Sequence, residues 1–478
     1  MTGLPDRTRV DPAGPGPTAP RPVGHTAPPG LPVRRPAGWR ARARRPVTWA
    51  ALGLALAWPV SALVNWSTGG FWWWGGAVPL LVFCAGPLLV LGAVPLLLLS
   101  RTRLSRLERV LVSLAVAQVT LVVLRRSFTG RTWVWTVPDL MVPPLLFALL
   151  PVALLAVVAL LAACRVRLGR AARRWTVLLT ATALVLGLDG SGLNPRAPRV
   201  WLEAAGPVPA DALHVVSWDT YCWNTTDDPG RFLAYLKRFR ADVYLLQEYS
   251  GCGPGAPLPI HDGDLLRREF PGHHVVTADG LLTISRLPVA GRAVLGTRPN
   301  PLAPSWRHAA LRTDLRVGGR LVSLYNVHLY DMLYLDSSPL SREFYRSIAV
   351  LDAERRVQLD ELAADIGRNP HPLLVSGNFN MLPGTGHARR LGHLADAARA
   401  GRSPYPATLT FAGLRLWRMD WTLTSHDMRV HRYDLRSPEG MSTHHLQETV
   451  VSPAAAPSPH PAPDRRPDHD HDQSQKAG

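Results

Sequence analysis

The sequence predicts two structural halves: a multi-span α-helical membrane region and, after it, one α/β domain. Long apolar segments separated by short polar links fill the chain up to about residue 190. From about residue 200 to Val451, short β-rich runs alternate with helix-like stretches, a pattern typical of α/β domains. The second half has about 250 residues, which is the size of one large domain.

The chain carries a formal net charge of +18, and almost all of its basic residues are arginines. A strongly basic protein can bind nucleic acid. Here, however, the arginines cluster in the first third of the chain between apolar segments, where they more often orient membrane spans. We therefore attribute the charge to membrane topology, and the sequence argues against a nucleic-acid partner.

The two ends of the chain are predicted to be disordered. Residues 1–46 are rich in Pro, Gly and Arg and lack apolar periodicity, which predicts a basic arm. This arm is too long and too proline-rich to open a cleavable signal peptide, so we expect the next apolar segment to stay in the membrane. Residues 453–478 form a low-complexity tail. Its run His469-Asp470-His471-Asp472 could bind a metal ion weakly, but a solvated end is the favoured interpretation.

The region 47–190 contains five apolar segments. A helix needs about 17 to 25 apolar residues to cross the ~30 Å hydrocarbon core of a bilayer. The second and fourth segments are long enough, whereas the third and fifth are near the lower limit, so the sequence predicts five spans, with three as the alternative. The segments are 47–65, 77–99, 109–124, 140–163 and 175–190.

The distribution of arginine predicts the orientation of these spans. The arm and the links 101–109 and 165–174 are dense in arginine, whereas the link 65–76 has none and carries tryptophans instead. Dense arginine marks the cytoplasmic side. An odd number of spans from a cytoplasmic amino terminus therefore places the α/β domain outside the cell, whether there are five spans or three. The arginines between residues 125 and 131 would lie outside as well, against the rule.

Two predicted strands of the α/β domain end in an acid. The first runs from Leu213 and closes on Asp219, and the next closes on Gln247 and Glu248, with a helix-like run between them. Apolar strands joined by a helix place such residues at the carboxyl edge of one sheet, where α/β proteins assemble their sites. Two carboxylates there suit a hard divalent cation.

Polar residues also end the later strands. A strand over 321–329 carries His328, and a strand from Leu373 enters the turn Ser376-Gly377-Asn378-Phe379-Asn380-Met381. Asp420 and His444 lie in the last two segments of the domain. Each feature alone is weak evidence for a functional site, because a histidine at a strand end is more often part of the core. The order and spacing of all of these residues together are stronger evidence.

Residues 213–451 resemble the endonuclease/exonuclease/phosphatase superfamily, whose fold DNase I, abasic-site endonucleases, inositol-phosphate phosphatases and bacterial sphingomyelinases share. The resemblance implies a four-layer α/β sandwich of two packed mixed β-sheets flanked by helices. It also implies metal-dependent attack of water on a phosphoric ester or anhydride. The matching motifs are, in order, Asp219, Gln247-Glu248, Ser285-Arg286-Leu287-Pro288, Asn326-Val327-His328-Leu329, Gly377-Asn378-Phe379-Asn380, Arg418-Met419-Asp420-Trp421 and Ser442-Thr443-His444.

The resemblance implies a role for each of these positions. Glu248 should hold Mg²⁺ or Mn²⁺. His444, oriented by Asp420, should offer a proton or a hydrogen bond to the phosphate. His328 and Asn380 should contact phosphate oxygens, and His328 is also counted among the catalytic residues.

Three positions depart from the family pattern. Asp219 and Thr443 stand where the family has a metal-side asparagine and aspartate, and these two changes offset each other in charge. Asn378 replaces the aspartate that handles the attacking water, and an amide cannot take a proton at neutral pH. Asp219 or a metal-bound hydroxide could do this work, the substrate could have a good leaving group, or the domain could bind phosphate without turnover. Some hydrolysis is the favoured interpretation.

Cys222 and Cys252 follow neighbouring predicted strands at the same edge. A disulfide between them would contribute ~3–4 kcal/mol in the chain-entropy model and would fit an oxidising exterior. Two free thiols are the alternative.

The sequence thus predicts a membrane-tethered, metal-dependent phosphoesterase outside the cell. Because its site would lie close to the bilayer, we expect a lipid-linked phosphate or a phospholipid head group as substrate. Membrane-anchored family members tied to teicoplanin resistance are similar in layout. A receptor or scaffold that binds phosphate without turnover is the rival. An exported nuclease ranks third, because many acids match the arginines of this domain.

Overall fold

The computed structural model describes residues 77–203, 206–223, 229–251, 260, 262–296, 299–302, 309–333, 341–411 and 413–454. The basic arm, the first apolar segment and nearly all of the carboxyl-terminal tail lie outside these residues, so what we infer about them stays a prediction.

The first half of the described chain is helical. The second helix starts with a reciprocal cap: the Ser105 hydroxyl accepts the Glu108 N–H at 3.2 Å, and the Glu108 carboxylate accepts the Ser105 N–H at 2.7 Å. Pro143 and Pro144 separate the third helix from the fourth, because proline has no N–H to continue a helix. The helices are α1 (Ala77–Leu99), α2 (Arg106–Phe128), α3 (Thr136–Met141), α4 (Leu146–Ala163), α5 (Arg170–Gly187) and α6 (Ala197–Leu202).

Four of the five predicted apolar segments coincide with these helices. Within the described residues, two helices are long and apolar enough to cross a bilayer, α2 and α4. The third segment is longer than the sequence indicated, because its helix extends to Phe128, and the fourth is interrupted between Met141 and Leu146. A multi-span region is therefore not confirmed, and the count of five or three spans stays a prediction.

The second half forms two six-stranded mixed sheets. Their strand orders are β13-β14-β1-β2-β4-β3 and β5-β6-β7-β8-β12-β9, and β10 and β11 form a separate hairpin. The strands are β1 (Leu213–Asp219), β2 (Val243–Gln247), β3 (His274–Ala278), β4 (Leu281–Ser285), β5 (Val289–Leu295), β6 (Ala309–Val317), β7 (Arg320–His328), β8 (Leu373–Asn378), β9 (Ala395–Asp396), β10 (Leu409–Phe411), β11 (Leu414–Trp417), β12 (Asp420–Thr424), β13 (Met428–Arg436) and β14 (Leu446–Pro453), and the helices are α7 (Pro229–Lys237), α8 (Gly263–Glu269) and α9 (Arg342–Arg368).

Successive residues of a strand pack into different hydrophobic cores. On β1, Val215 packs between the two sheets with Leu324 of β7, whereas its neighbour Val216 packs outward among residues of α7 and α8. Tyr325 of β7 packs outward against the Leu359 face of α9. This alternation follows from the two-residue period of a strand. It produces helix, sheet, sheet and helix layers, which confirms the predicted four-layer sandwich.

Gly377 is the position at which β8 most needs glycine. Its φ is 144°, and a Cβ there would lie 2.0 Å from the Val327 carbonyl oxygen of β7. We expect Gly377→Ala to lower the free energy of unfolding by about 2–6 kcal/mol, from backbone strain plus overpacking. Gly367→Ala in α9 is the matched control, because a Cβ there meets nothing within 4 Å. Denaturant unfolding measures both, and equal stabilities would contradict the prediction.

The helical half packs directly on the α/β half. Met141 of α3 belongs to one buried cluster with Met332, Leu382 and Trp417, which lie near the ends of β7, β8 and β11. The Trp417 indole N–H also donates to the Leu140 carbonyl at 2.9 Å. The two halves therefore belong to one compact unit.

Candidate active site

Strand register brings three of the predicted residues into one row. His328 is level with Asn378 in the parallel pair β7–β8, and Asn378 is level with Asp420 in the antiparallel pair β8–β12. In the facing sheet, the parallel pair β1–β2 places Asp219 level with Gln247, one residue before Glu248. All five predicted residues of these strands meet at the same edge of the sandwich.

A buried polar layer joins the two sheets beneath this edge. The Gln247 side-chain NH₂ donates to the Asn326 side-chain oxygen at 2.6 Å, and the Asn326 NH₂ donates to the carbonyls of Leu246 and Leu282. These bonds link β2 and β4 to β7. They fix the spacing between the sheets, and therefore between the groups that each sheet contributes to the site.

Asp219 and Asn378 are direct partners across the gap between the sheets. The Asn378 Nδ2–H donates to Asp219 Oδ2 at 2.7 Å, and Asn378 Oδ1 accepts the Asn380 N–H at 2.8 Å. The backbone donor fixes which end of the amide faces Asp219. Asp219, one of the groups that could replace the missing aspartate, is thus the direct hydrogen-bond partner of Asn378. Relative to the family pattern that the resemblance implies, the carboxylate and the amide have exchanged places within this pair.

Glu248 lies close to two other carboxylates, those of Asp219 and Asp331. It has a positive φ of 54°, and its Oε2 accepts the Cys222 N–H at 2.9 Å. Burial, with the charges of Asp219 and Asp331, raises the pKa of Glu248 well above its usual range. Ligand atoms of Asp219, Glu248 and His328 lie within 4.8 Å of one another. A buried carboxylate and a partly buried one, which repel each other beside an imidazole, form a donor set that suits a divalent cation.

Asp219 itself keeps its charge. Burial opposes ionisation, but His444 and His328, together with the hydrogen bond from Asn378, outweigh burial and lower the pKa of Asp219. Asp219 also belongs to a second group of ligand atoms within 4.8 Å, formed with Asp420 and His444. It is therefore the residue that connects the acidic group around Glu248 to the histidine on the other side of the site.

His444 and Asp420 form the predicted pair. The His444 Nδ1 lies 2.8 Å from Asp420 Oδ2, and both side chains are buried. Burial opposes the imidazolium, but the carboxylates of Asp420 and Asp219 outweigh it and raise the pKa of His444 to about 10. These charges favour the protonated form of the His444 imidazole at neutral pH. Ser442 holds its backbone, because the Ser442 hydroxyl accepts the His444 N–H and donates to the Asp219 carbonyl.

This pair predicts a change in the pH profile. Because Asp420 stabilises the imidazolium, Asp420→Asn should lower the pKa of His444. The histidine is protonated only below its pKa, so the alkaline limb of the pH–rate profile should move to lower pH in Asp420→Asn. We also expect kcat to be reduced on both limbs of the profile. An alkaline limb at the native position would contradict this role for the pair.

Asn380 is held beside the pair of Asp219 and Asn378. Its backbone has a positive φ of 48°, and its side-chain NH₂ donates to the Leu329 carbonyl at 3.0 Å. This contact links the end of β8 to the end of β7, next to His328. Asn380 is therefore hydrogen-bonded to the residue that follows His328 in the chain.

Two predicted groups are not tested by this geometry. Thr443 has an exposed side chain, and its backbone carbonyl accepts the Thr410 N–H, so its predicted place beside a metal stays a prediction. Cys252 lies outside the described residues, and the bridge from Cys222 stays a prediction as well.

Three residues that support the site were not predicted from the sequence: Arg355, Gln358 and Asp331. The Arg355 guanidinium, on α9, is buried and donates to the carbonyls of Tyr330 and Phe379, while the Gln358 side-chain oxygen accepts the Tyr330 N–H at 3.1 Å. Asp331 adds the third carboxylate. A signal for Arg355 was present, because it lies at helical spacing between the buried Leu351 and Leu359. Asp331 had no signal in the sequence beyond its position three residues after His328.

These features define a class of protein: a two-sheet α/β sandwich with acids, amides and histidines gathered at one edge, as in hydrolases of phosphoric esters. The family model described as Endonuclease/Exonuclease/phosphatase family matches residues 216–460. Because this match covers half of the chain, the chain belongs to that family. No curated protein has a significant match to this chain.

Several solved structures are similar to about half of the chain. An endonuclease/exonuclease/phosphatase from Beutenbergia cavernae DSM 12333 is 21% identical, with a TM-score of 0.38 over 52% of this chain and 73% of that chain. The human Nocturnin catalytic domain with bound sulfate is 17% identical, with a TM-score of 0.37 over 51% and 94%. A mannosyl-6-phosphatase from Bacteroides thetaiotaomicron VPI-5482 is 14% identical, with a TM-score of 0.35 over 50% and 99%. Similarity at this level says nothing of what this chain acts on.

Proposed function

We propose that the protein is a metal-dependent hydrolase of phosphoric esters or anhydrides whose carboxylate for the attacking water is Asp219. The observation that carries this proposal is the 2.7 Å contact between Asp219 and Asn378. It leaves one ionised carboxylate at the place where the family pattern has a carboxylate and an amide. Relative to the family pattern, the negative charge of this pair therefore lies on residue 219 instead of residue 378.

The residues present fit the Mg²⁺ or Mn²⁺ that the family implies. Glu248 and Asp219 would hold the ion, and the ligand atom of His328 lies within 4.8 Å of theirs. A divalent ion there would neutralise charge that develops on a phosphoryl group.

The chain's own groups account for the proton and the phosphate. An ionised Asp219 can accept a proton from water, which the Asn378 amide cannot. His444, charged and held by Asp420, can donate a hydrogen bond or a proton to a phosphate oxygen. Asn380 and His328 lie at the ends of the neighbouring strands β8 and β7, and we propose that their N–H groups contact the remaining phosphate oxygens.

The helical half supports a proposal for the location and the substrate class. We propose that an odd number of spans, with α2 and α4 among them, anchors the chain in the cell membrane, with the amino terminus in the cytoplasm and the α/β domain outside. Leu160 on α4 and Val185 on α5 are 64% and 74% exposed, which suits contact with lipid. A site that packs this close to the helices favours a phosphorylated lipid or a lipid-linked phosphate over nucleic acid. A receptor that binds phosphate without turnover is the rival, because Asn378 departs from the family pattern.

The test uses the purified full chain in lipid nanodiscs. We expect hydrolysis of a lipid phosphate or pyrophosphate with Mn²⁺ or Mg²⁺, and loss of that hydrolysis with EDTA that either ion restores. Duplex and single-stranded DNA in the same assay address the nuclease alternative. Metal-independent turnover would contradict the metal proposal, and turnover of DNA alone would contradict the substrate class. Binding of inorganic phosphate with no turnover of any substrate would favour the receptor.

A further inference from the structure

The loop 380–387 connects the site to the helical half. It starts at Asn380, whose N–H donates to Asn378, and it ends at His387, whose Nε2 lies 2.9 Å from Asp352 Oδ1 on α9. Between these ends the loop leaves the α/β half and contacts the region around the end of α2. The position of Asn380 therefore depends on what holds the middle of this loop.

Arg125, near the end of α2, is buried against this loop. Its side chain is 7% exposed, and its guanidinium donates to the Pro383 carbonyl at 2.5 Å, to the Gly190 carbonyl at 3.1 Å and to Asp139 Oδ1 at 3.3 Å. The guanidinium carbon also lies 4.3 Å from the centre of the Phe147 ring. A planar group with several fixed donors can satisfy all of these partners at once, which the ammonium of lysine cannot.

Thr129 and Asp139 close the connection on the other side of the loop. The Gly386 N–H donates to the Thr129 hydroxyl at 3.2 Å, and that hydroxyl donates to Asp139 Oδ2 at 2.6 Å. Asp139 thus accepts from Thr129 and Arg125 together. The hydrogen bonds run from Gly386 through Thr129, Asp139 and Arg125 to the Pro383 carbonyl, so they hold the loop at two points three residues apart.

The backbones at this junction approach too closely for any side chain. A Cβ on Gly386 would lie 2.3 Å from the Thr129 carbonyl oxygen, and a Cβ on Gly130 would lie 2.4 Å from the Gly386 Cα. A Cβ on Gly384 would lie 2.5 Å from the Gly190 Cα. Glycine on both sides allows main chain to pack on main chain. The loop therefore has one close-packed position against the helices.

We propose that Arg125, Thr129 and Asp139 form a clamp that positions the loop 380–387, and through it Asn380, for the phosphate group of the substrate. The kinetic part of this inference rests on the proposed hydrolysis. The clamp makes the helical half a structural part of the site as well as an anchor. It also accounts for Arg125 on the side where the arginine distribution disfavours it, because its charge is buried beside Asp139.

The first test measures the loop directly and needs no turnover. Hydrogen–deuterium exchange on the full chain in nanodiscs should be at least about tenfold faster at residues 384–391 in Arg125→Met than in the native chain, with the β13–β14 amides unchanged. Thr129→Val, which keeps the volume and loses the hydroxyl, should accelerate the same residues if Arg125→Met does not fold. Arg126→Gln is the matched control, because Arg126 is exposed and its guanidinium donates to the Leu186 carbonyl. Unchanged exchange at residues 384–391 in both Arg125→Met and Thr129→Val would overturn the clamp.

The second test connects the clamp to Asn380 by a double-mutant cycle. Arg125→Lys should lower kcat/KM at least about tenfold in the native background, but much less in a chain that already carries Asn380→Ala. Equal losses in the two backgrounds would mean that Arg125 only supports the fold, and no loss in either would overturn the positioning role. A native chain without turnover would contradict the proposed hydrolysis instead, and the exchange measurement would still decide the clamp.

Discussion

Replacing Asp219 with asparagine is expected to lower kcat about 10²- to 10⁴-fold, and adding Asn378→Asp to the same chain is expected to recover most of that loss. The single change leaves two facing amides and no carboxylate to accept a proton. The double change restores one carboxylate and one amide in exchanged positions. In the native pair Asn378 accepts the Asn380 N–H and donates to Asp219. An aspartate at 378 can accept that N–H and also a bond from an asparagine at 219, so the number of hydrogen bonds is unchanged.

Two further variants make this result specific. Asn378→Asp alone places two carboxylates at hydrogen-bonding distance, so the pKa of one of them should rise and activity at neutral pH should not increase. Asp360→Asn is the matched control, because Asp360 is exposed on α9 and pairs with Arg390. Initial rates with saturating Mn²⁺ measure all four chains. A double variant as inactive as Asp219→Asn would contradict the exchange.

His444→Gln is the second large expected effect, a loss of about 10²- to 10⁴-fold in kcat. Glutamine can still donate a hydrogen bond from a similar position, but it cannot deliver a proton. The loss should be larger for a substrate with a poor leaving group than for one with a good leaving group, because the poor leaving group needs the proton. Steady-state rates on a nitrophenyl ester and on an alkyl ester make this comparison.

The neighbouring histidine provides the control for this variant. His445 is only partly buried, and its Nε2 lies 3.4 Å from the Thr410 hydroxyl, outside the Asp219, Asp420 and His444 group. His445→Gln should leave kcat nearly unchanged. Similar losses in His444→Gln and His445→Gln would indicate damage to this segment of the chain and would contradict a specific role for His444.

Most of the α/β fold was predictable because its signals are local. Alternation along β1 and β7, the glycine before Asn378 and the acids at strand ends each act within a few residues. The motif order then implied the two sheets, and the structure confirms them. The helical half was less predictable, because hydropathy does not reveal that Pro143 and Pro144 divide one segment, or that the helix of another segment extends to Phe128.

The candidate residues of the site could be named from the sequence, but most of the contacts between them could not. The pairing of His444 with Asp420 came from the family resemblance, and the structure places His444 Nδ1 2.8 Å from Asp420 Oδ2. The contact between Asp219 and Asn378 joins residues 159 positions apart, and the contact between Arg125 and Pro383 joins residues 258 positions apart. A single sequence contains no signal for such contacts, because they depend on how sheets and helices pack. For that reason the sequence alone left open whether Asp219 compensates for Asn378.

The most direct test of Asp219 as the working carboxylate compares the native full chain with Asn378→Asp at saturating Mn²⁺ and neutral pH. We expect the native chain to hydrolyse a phosphorylated lipid or a lipid-linked phosphate, and Asn378→Asp to be no faster. No turnover by the native chain together with a gain of activity in Asn378→Asp would contradict it, because the site would then lack a working carboxylate.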